Sequence, residues 1–267
     1  MISGDMLRKL QMTELEILLK VDEICRKNNI KYFLVGGTLL GAVRHQGFIP
    51  WDDDLDIAMP RADYQKFVEI SSKALGSQYH FQCVENDADY WLLFGKVRKN
   101  GTVFAESRLK NIQTNKGIFI DVFPLDDGNE PNDLLQKIRI KTARKIQYVM
   151  YCRRGVIAGE VSSQIKILAK LSRVMSINKW MRLGQKIVSH KNRNAKYYFN
   201  VGSNYNYKKQ TILKEKYYPL KELEFEGHRF WVPNDYDFVL KQIFGTNYME
   251  LPEKEKRVNH APEYISF

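Results

Sequence analysis

The stretch Gly36-Gly37-Thr38-Leu39-Leu40-Gly41-Ala42-Val43-Arg44-His45-Gln46-Gly47-Phe48-Ile49-Pro50-Trp51-Asp52-Asp53-Asp54-Leu55-Asp56-Ile57 decides how this 267-residue chain is read. Residues 30–35, just ahead of it, form a short apolar run with Tyr, Phe and Val, whose length and composition favour a buried strand over a helix. The paired glycines break that strand, residues 38–44 read as one short helix, Gly47 and Pro50 mark a loop, and residues 54–59 resume as a strand. Gly-Gly between a buried strand and a helix lets backbone approach a phosphate, whose oxygens take the unpaired amides at the favourable dipole end of the helix. On a strand, residues two apart share a face, so Asp54 and Asp56 present two carboxylates to one cation.

Outward from this stretch, Thr13-Glu14-Leu15-Glu16 has the form of a capping box, and apolar Leu15, Leu18, Val21 and Cys25 follow at helical spacing, predicting a helix over 13–27. Residues 61–75 read as an amphipathic helix. Residues 91–98 and 102–107 read as strands joined in a hairpin across Asn100-Gly101. Residues 117–123 form a further strand, closed by Pro124, and 126–129 carry loop chemistry. Within that strand Asp121 lies among apolar neighbours, where an ionised acid needs compensation that a divalent metal supplies. Asp54, Asp56 and Asp121 beside a glycine-rich turn are what two-metal phosphoryl or nucleotidyl transfer requires. Hard oxygen ligands take Mg²⁺ or Mn²⁺, with two ions roughly 4 Å apart holding the attacking and leaving oxygens in line.

The remainder bounds the class of protein. With 44% hydrophobic and 27% charged residues the chain is an ordinary folded globular protein, neither disordered nor fibrous. The formal net charge is +11, and residues 137–196 hold sixteen Lys or Arg against the single acid Glu160. That asymmetry points to an anionic partner in the wide sense, without choosing among membrane surface, phosphorylated acceptor and nucleic acid. Three distant cysteines, Cys25, Cys83 and Cys152, argue against a disulfide framework or structural zinc. With neither a signal-length nor a membrane-length apolar run, the expectation is a soluble cytoplasmic protein. Toward the C-terminus residues 223–232 read as strand and 235–244 as helix.

Two further segments complete the pattern: Asp121-Val122-Phe123-Pro124-Leu125-Asp126, and a tail with Tyr236, Phe244-Gly245, Tyr248-Met249, Leu251-Pro252 and Lys256-Arg257. Together with the stretch from Gly36 to Ile57 they resemble the LicD family of phosphocholine transferases, whose wider relatives include the fukutin-related phosphoribitol transferases. The resemblance implies an α+β fold with a nucleotidyltransferase-type mixed β-sheet flanked by helices. It also implies Mg²⁺ dependence and transfer of phosphocholine from CDP-choline, or of a related CDP-alcohol's phospho-alcohol, to a sugar hydroxyl of a teichoic acid, capsule or lipopolysaccharide precursor. Carried over by position, Asp54, Asp56 and Asp121 bind metal, Gly36, Gly37 and Thr38 hold the donor phosphates, and Asp121 takes the proton of the attacking hydroxyl. The expected organisation is a catalytic core over 1–130, a basic helical insertion over 131–200 and a C-terminal segment over 201–267 packing back on the core.

Around these residues several assignments stay open. Arg44, Lys96 and Arg98 are candidates to neutralise donor phosphates; alternatively Arg44 orients Asp52 or Asp53, and Lys96 and Arg98 guard a solvated edge strand. Asp52 joins the site while Asp53 faces solvent or an arginine. Trp51 either stacks on the donor or plugs the core, and Arg257 and His260 either close the site or belong to a surface tail. The basic helices fit peripheral contact with an anionic inner membrane face, an acceptor that is lipid-linked, or a solvated surface, with nucleic acid the least favoured partner. Two rivals differ in class: nucleotidyl transfer from an NTP, and nucleic-acid binding on an inactive transferase core.

Overall fold

The computed structural model describes residues 4–157, 160–189, 194–257, 259 and 262–267. In chain order its elements are α1 (Gly4–Lys27), β1 (Phe33–Leu34), α2 (Gly36–His45), β2 (Asp56–Pro60), α3 (Arg61–Ala74), β3 (Tyr79–Gln82), β4 (Gly95–Lys99), β5 (Val103–Ala105), β6 (Phe119–Gly128), α4 (Leu134–Arg154), α5 (Ser163–Leu171), α6 (Ile177–Val188), β7 (Tyr197–Asn200), β8 (Thr211–Leu213), β9 (Lys221–Phe225), β10 (His228–Val232), α7 (Tyr236–Phe244) and β11 (Tyr264–Ser266). A mixed sheet in the order β1-β2-β6-β4-β3, with β7 and β8 continuing from β6, is flanked by helices.

Strand β6 organises the sheet. It runs parallel to β2, with Asp56 opposite Asp121, and antiparallel to β4, with Lys96 opposite the same Asp121. Its far half pairs instead with β7. Pro124, expected to close the strand, lies inside it, in the gap between the residues paired to β4 and those paired to β7. A residue lacking an N–H is tolerated where no strand on that edge asks for one. Residues 126–128 are therefore strand rather than loop, and Asp126 is fully buried in a bidentate pair with Arg61, at 2.7 and 2.8 Å.

Other expectations change where tertiary contacts override local signals. Helix α1 begins at Gly4, not at Thr13, whose hydroxyl donates back to the Lys9 carbonyl from inside the helix. The turn at Asn100-Gly101 forms without the hairpin: β4 pairs with β3 and β6, and β5 pairs with β11. Strand β4 is thus interior, not an edge. Residues 221–232 make a two-stranded hairpin about Glu226-Gly227, both at positive φ, instead of a single strand.

The main core joins Leu18 and Val21 of α1, Phe33, Ile57, Ile120, Val122 and Leu240. A second core lies where Tyr90, Trp91 and Leu93, in the β3–β4 loop, meet Ile140, Ala143 and Met181 of α4 and α6. Helix α4 starts at Asp133, whose carboxylate accepts from the Gln136 amide, and stops at Gly155 in the left-handed region. The basic stretch thus folds as helices that share one core with the loop beside Asp121's strand. Cys25, Cys83 and Cys152 are free thiols, and among the described residues no helix is long and apolar enough to cross a membrane.

Candidate active site

The β1–α2 turn supplies one wall of a cavity of about 840 Å³. Gly36 has φ +57°, a conformation that side chains with a Cβ rarely adopt. A Cβ at Gly36 would stand 3.1 Å from Asp56 Oδ2, and one at Gly37 2.7 Å from Asp52 Oδ2. The glycines therefore bring the amino end of α2 directly against two carboxylates. Thr38 is buried beneath them, and its hydroxyl accepts from the Asp56 amide at 2.8 Å. Its side chain positions the carboxylate strand and is absent from the cavity wall.

Across the floor of the cavity Asp56, Asp121 and Lys96 form one row over three adjacent strands, because register partners share a face. Lys96 Nζ is paired with Asp121 Oδ1 and lies 3.5 Å from the centre of the Phe119 ring. Burial, partly offset by Asp121, lowers the Lys96 ammonium from its ordinary value. Arg98, two residues along the same face, is buried, and donates from Nε to Gln82 Oε1 at 2.7 Å and from Nη1 to the Gly117 carbonyl at 2.9 Å. Both cations line the cavity from an interior strand, so the solvated-edge reading does not hold.

The acidic run sits between this floor and α1. The Asp52 carbonyl accepts from Gln11 Nε2 at 2.9 Å, and Asp53 is buried rather than solvent-facing. Asp52, Asp53, Asp54, Asp56 and Asp121 all line the cavity. Burial, then repulsion from Asp54, Asp121 and Asp52, raises the Asp56 carboxyl well above the ordinary range, and its Oδ1 is buried without a hydrogen-bond partner. Glu14, buried in α1, is raised in the same way by burial and by Asp54, Asp53, Asp52 and Asp56. Sequence reasoning missed this sixth acid of the cluster. The available signal was an acid four residues from both Leu10 and Leu18, on the apolar stripe of a helix.

Among the described residues no group of three His, Cys, Asp or Glu side chains stands ready to hold a metal ion. Asp54, Asp56 and Asp121 share the cavity, but Lys96 takes up one Asp121 oxygen, so the three are not gathered as a cage. The donor set nonetheless fits a hard divalent cation. Mg²⁺ is commonly held by one or two carboxylates together with substrate phosphates and water, and the orphaned Asp56 oxygen beside Asp54 has the chemistry for that.

At the rim, Arg44 Nη1 donates to the carbonyls of Tyr248 and Glu250, each at 3.0 Å. It therefore ties α2 to the C-terminal segment, while Asp52 acts on it electrostatically. Arg257 donates to the Pro252 carbonyl at 3.0 Å and stacks 4.7 Å from the centre of the Trp51 ring. Trp51 lines the cavity and packs on the main core, with one face taken by this arginine. His260 lies outside the described residues. Opposite, Asn200 Oδ1 accepts from the amides of Gly202 and Ser203, and Arg144 of α4 donates to the Val201 and Ser203 carbonyls. This loop carries Tyr205 to the cavity, where burial and Asp56, Asp52 and Asp54 push its phenol up to about 12.

Comparison with known proteins places this geometry. Residues 29–151, which include the β1–α2 turn, the acidic run, Lys96, Arg98 and Asp121, match the family described as LicD/FKTN/FKRP, nucleotidyltransferase domain. An uncharacterised protein of Rickettsia typhi is 53% identical over 55 residues, 21% of this chain and 18% of its own length. The lipopolysaccharide cholinephosphotransferase LicD of Haemophilus influenzae is 32% identical over 261 residues, 96% of this chain and 97% of that protein. A match of that depth runs through the acidic turn, the helical segment and the C-terminal rim alike, and the chain belongs to the LicD family.

Proposed function

We propose that this chain, a phosphotransferase, moves phosphocholine from CDP-choline to a sugar hydroxyl of a lipopolysaccharide-type glycan. The observation that carries the reading is the row Asp56–Asp121–Lys96 laid beside the Gly36-Gly37 helix end in one cavity. The amides of α2, with Lys96 at the carboxylate row, hold the donor phosphates. Asp54 and Asp56 hold Mg²⁺ or Mn²⁺, one ion or two, which when bound neutralises charge on the transferring phosphoryl group. Asp121 accepts the proton of the attacking hydroxyl. The new bond joins the acceptor oxygen to the phosphorus bearing choline, the bond from that phosphorus to the CMP oxygen breaks, and CMP leaves. Teichoic acid and capsule precursors offer the same nucleophile.

The acceptor is met at an anionic membrane surface. Helix α5 and the turn after it expose Leu171 and Val174, 62% and 82% accessible, beside Lys166, Lys170 and Arg173. Apolar side chains flanked by cations favour the headgroup boundary of an anionic leaflet. The decisive experiment on the reaction is titration with CDP-choline, CDP-ribitol, CDP-glycerol and CTP, with Mg²⁺ and with EDTA, followed by product analysis. Mg²⁺-dependent release of CMP from CDP-choline supports the reading, whereas pyrophosphate release from CTP alone replaces it with nucleotidyl transfer.

A further inference from the structure

The residues lining the cavity fall into two groups, or arms, divided by the carboxylate that acts on them. One is walled by the β1–α2 turn, the loop carrying Tyr205 and the C-terminal rim. The other opens between the β3–β4 loop, β4 and α4, and presents Tyr90, Arg98, Glu106, Arg108, Gln147 and Tyr151. The carboxylates divide between them. Tyr205 and Arg44, in the first arm, feel Asp52; Tyr90, Arg98, Arg108 and Tyr151, in the second, feel Asp121.

We infer that the second arm is the acceptor subsite, and that it takes a sugar ring carrying an anionic substituent; this rests on the phosphotransfer reading above. Three observations support it. Tyr90 lines the cavity, and its hydroxyl is buried, the residue 1% accessible, with no hydrogen-bond partner. A buried hydroxyl left unpaired is costly, and a ligand hydroxyl or anionic oxygen relieves it. The arm is also positive, with Lys96, Arg98 and Arg108 against Asp121 and Glu106, and Arg108 pairs with Glu106 at 2.6 Å. A quaternary ammonium is disfavoured there, since Lys96 and Arg98 already face the Phe119 ring at 3.5 and 4.9 Å. Finally, Trp91 and Tyr151, with ring centres 6.5 Å apart, set apolar faces beside amide and guanidinium donors, the mixture that holds a sugar ring and fixes its hydroxyls.

A donor held near Asp52 and Asp56 and an acceptor held near Asp121 suit in-line displacement, which needs the nucleophile opposite the leaving CMP. Gln147 binds this arm to the fold, its Oε1 accepting from the Leu93 amide at 2.9 Å. The subsite thus draws on α4, the first of the basic helices, and these helices supply acceptor recognition as well as surface charge.

The test is a kinetic split in Tyr90→Phe and Arg108→Gln, with thermal melts of both. The donor is CDP-choline, and the acceptor is a lipopolysaccharide core oligosaccharide lacking phosphocholine, used intact and after dephosphorylation. Expected are a tenfold or larger rise in the acceptor KM for Arg108→Gln, a severalfold rise for Tyr90→Phe, and a CDP-choline KM within twofold of wild type. The dephosphorylated acceptor should bind wild type about tenfold more weakly than the intact one, and discriminate less in Arg108→Gln. A raised CDP-choline KM with unchanged acceptor KM overturns the inference and gives the arm to the donor; two unchanged constants overturn it as well. Calorimetric binding of the oligosaccharide alone reads the subsite independently of the donor. If wild type releases no CMP but binds the oligosaccharide in an Arg108-dependent way, the donor reading fails and the subsite stands. If the oligosaccharide binds equally to wild type and Arg108→Gln, the subsite fails. Because Arg108 is half exposed, Arg108→Gln keeps the test usable should Tyr90→Phe melt early.

Discussion

Lys96 and Asp121 stand opposite each other across the β4–β6 ladder and are joined by an ion pair in the cavity floor, so one carboxylate of the site is neutralised by the protein itself. Asp56, next in the row, has no such partner for Oδ1. On the proposed reading, Lys96 and a bound divalent cation would share the work of balancing this cluster. Replacing Lys96 by Met should tighten Mg²⁺ binding by about tenfold, roughly 1.4 kcal/mol, while depressing CMP release by two orders of magnitude or more. Calorimetric titration with Mg²⁺ checks the first half, and an unchanged affinity would remove Lys96 from the metal's electrostatic environment.

Gly37 and Gly41, four residues apart on α2, are glycines for different reasons. A Cβ at Gly41 would stand 2.5 Å from the Gly47 carbonyl oxygen, which is backbone, whereas one at Gly37 meets only the end of the Asp52 side chain. Gly41→Ala should cost about 1–3 kcal/mol in urea unfolding. Gly37→Ala should fold with nearly wild-type stability and lose turnover, because Asp52 is displaced from the helix end. Equal stability losses in the two variants would contradict this separation.

The Arg61–Asp126 pair is buried and bidentate, while Lys241–Asp237 is exposed on α7. Arg61→Met leaves the buried Asp126 carboxyl without its bidentate partner and should cost roughly 3–5 kcal/mol. Lys241→Met should cost less than about 1 kcal/mol. Paired urea melts at neutral pH make the comparison.

Glu226 accepts from Arg8 and from the Phe48 amide at 3.0 Å, tying the β9–β10 hairpin to α1 and to the loop after α2. The Arg8 bond, the largest influence, holds its carboxyl below the ordinary 4.5. A depressed acid contributes stability that is present above its unfolded value and lost as pH falls through its folded value. The stability difference between wild type and Glu226→Gln should thus be constant from pH 6 to 8 and shrink below about pH 4.5. Urea melts across that range test it, and a difference that grows on acidification would reverse the sign.

The exposed face of α5 predicts salt-sensitive association with vesicles containing anionic lipid. Reversing Lys166, Lys170 and Arg173 to Glu should weaken partitioning by roughly a hundredfold or more, at about 1 kcal/mol for each base near the surface. Co-sedimentation at low and high salt measures this. Binding retained in full by the triple variant would assign the contact to another surface.

The sequence made the strand, the glycine turn, the short helix and the acidic run readable because each is local: turn chemistry and two- or four-residue spacing need no distant partner. Local signals misled where a distant partner decided the outcome. Asn100-Gly101 makes its turn, yet β4 pairs with β3 and β6 while β5 pairs with β11. Thr13-Glu14-Leu15-Glu16 has the pattern of a helix start, yet apolar Leu7 and Leu10 bury one further turn and more, so α1 begins earlier. Glu14 was hidden for the same reason, since its acidity matters only once α1 lies behind Asp52–Asp54.

The sequence alone determined the family, the glycine turn and the acidic run, because these depend on residue type and spacing over a few tens of residues. Tertiary structure alone decided that Asp56, Asp121 and Lys96 form one row, that Arg44 braces the C-terminal rim, and that Tyr90 and Arg108 line one cavity with Tyr151 of α4. Strand register and the packing of a loop against a helix are set by burial of faces far apart in the chain, and no local pattern encodes which faces will meet.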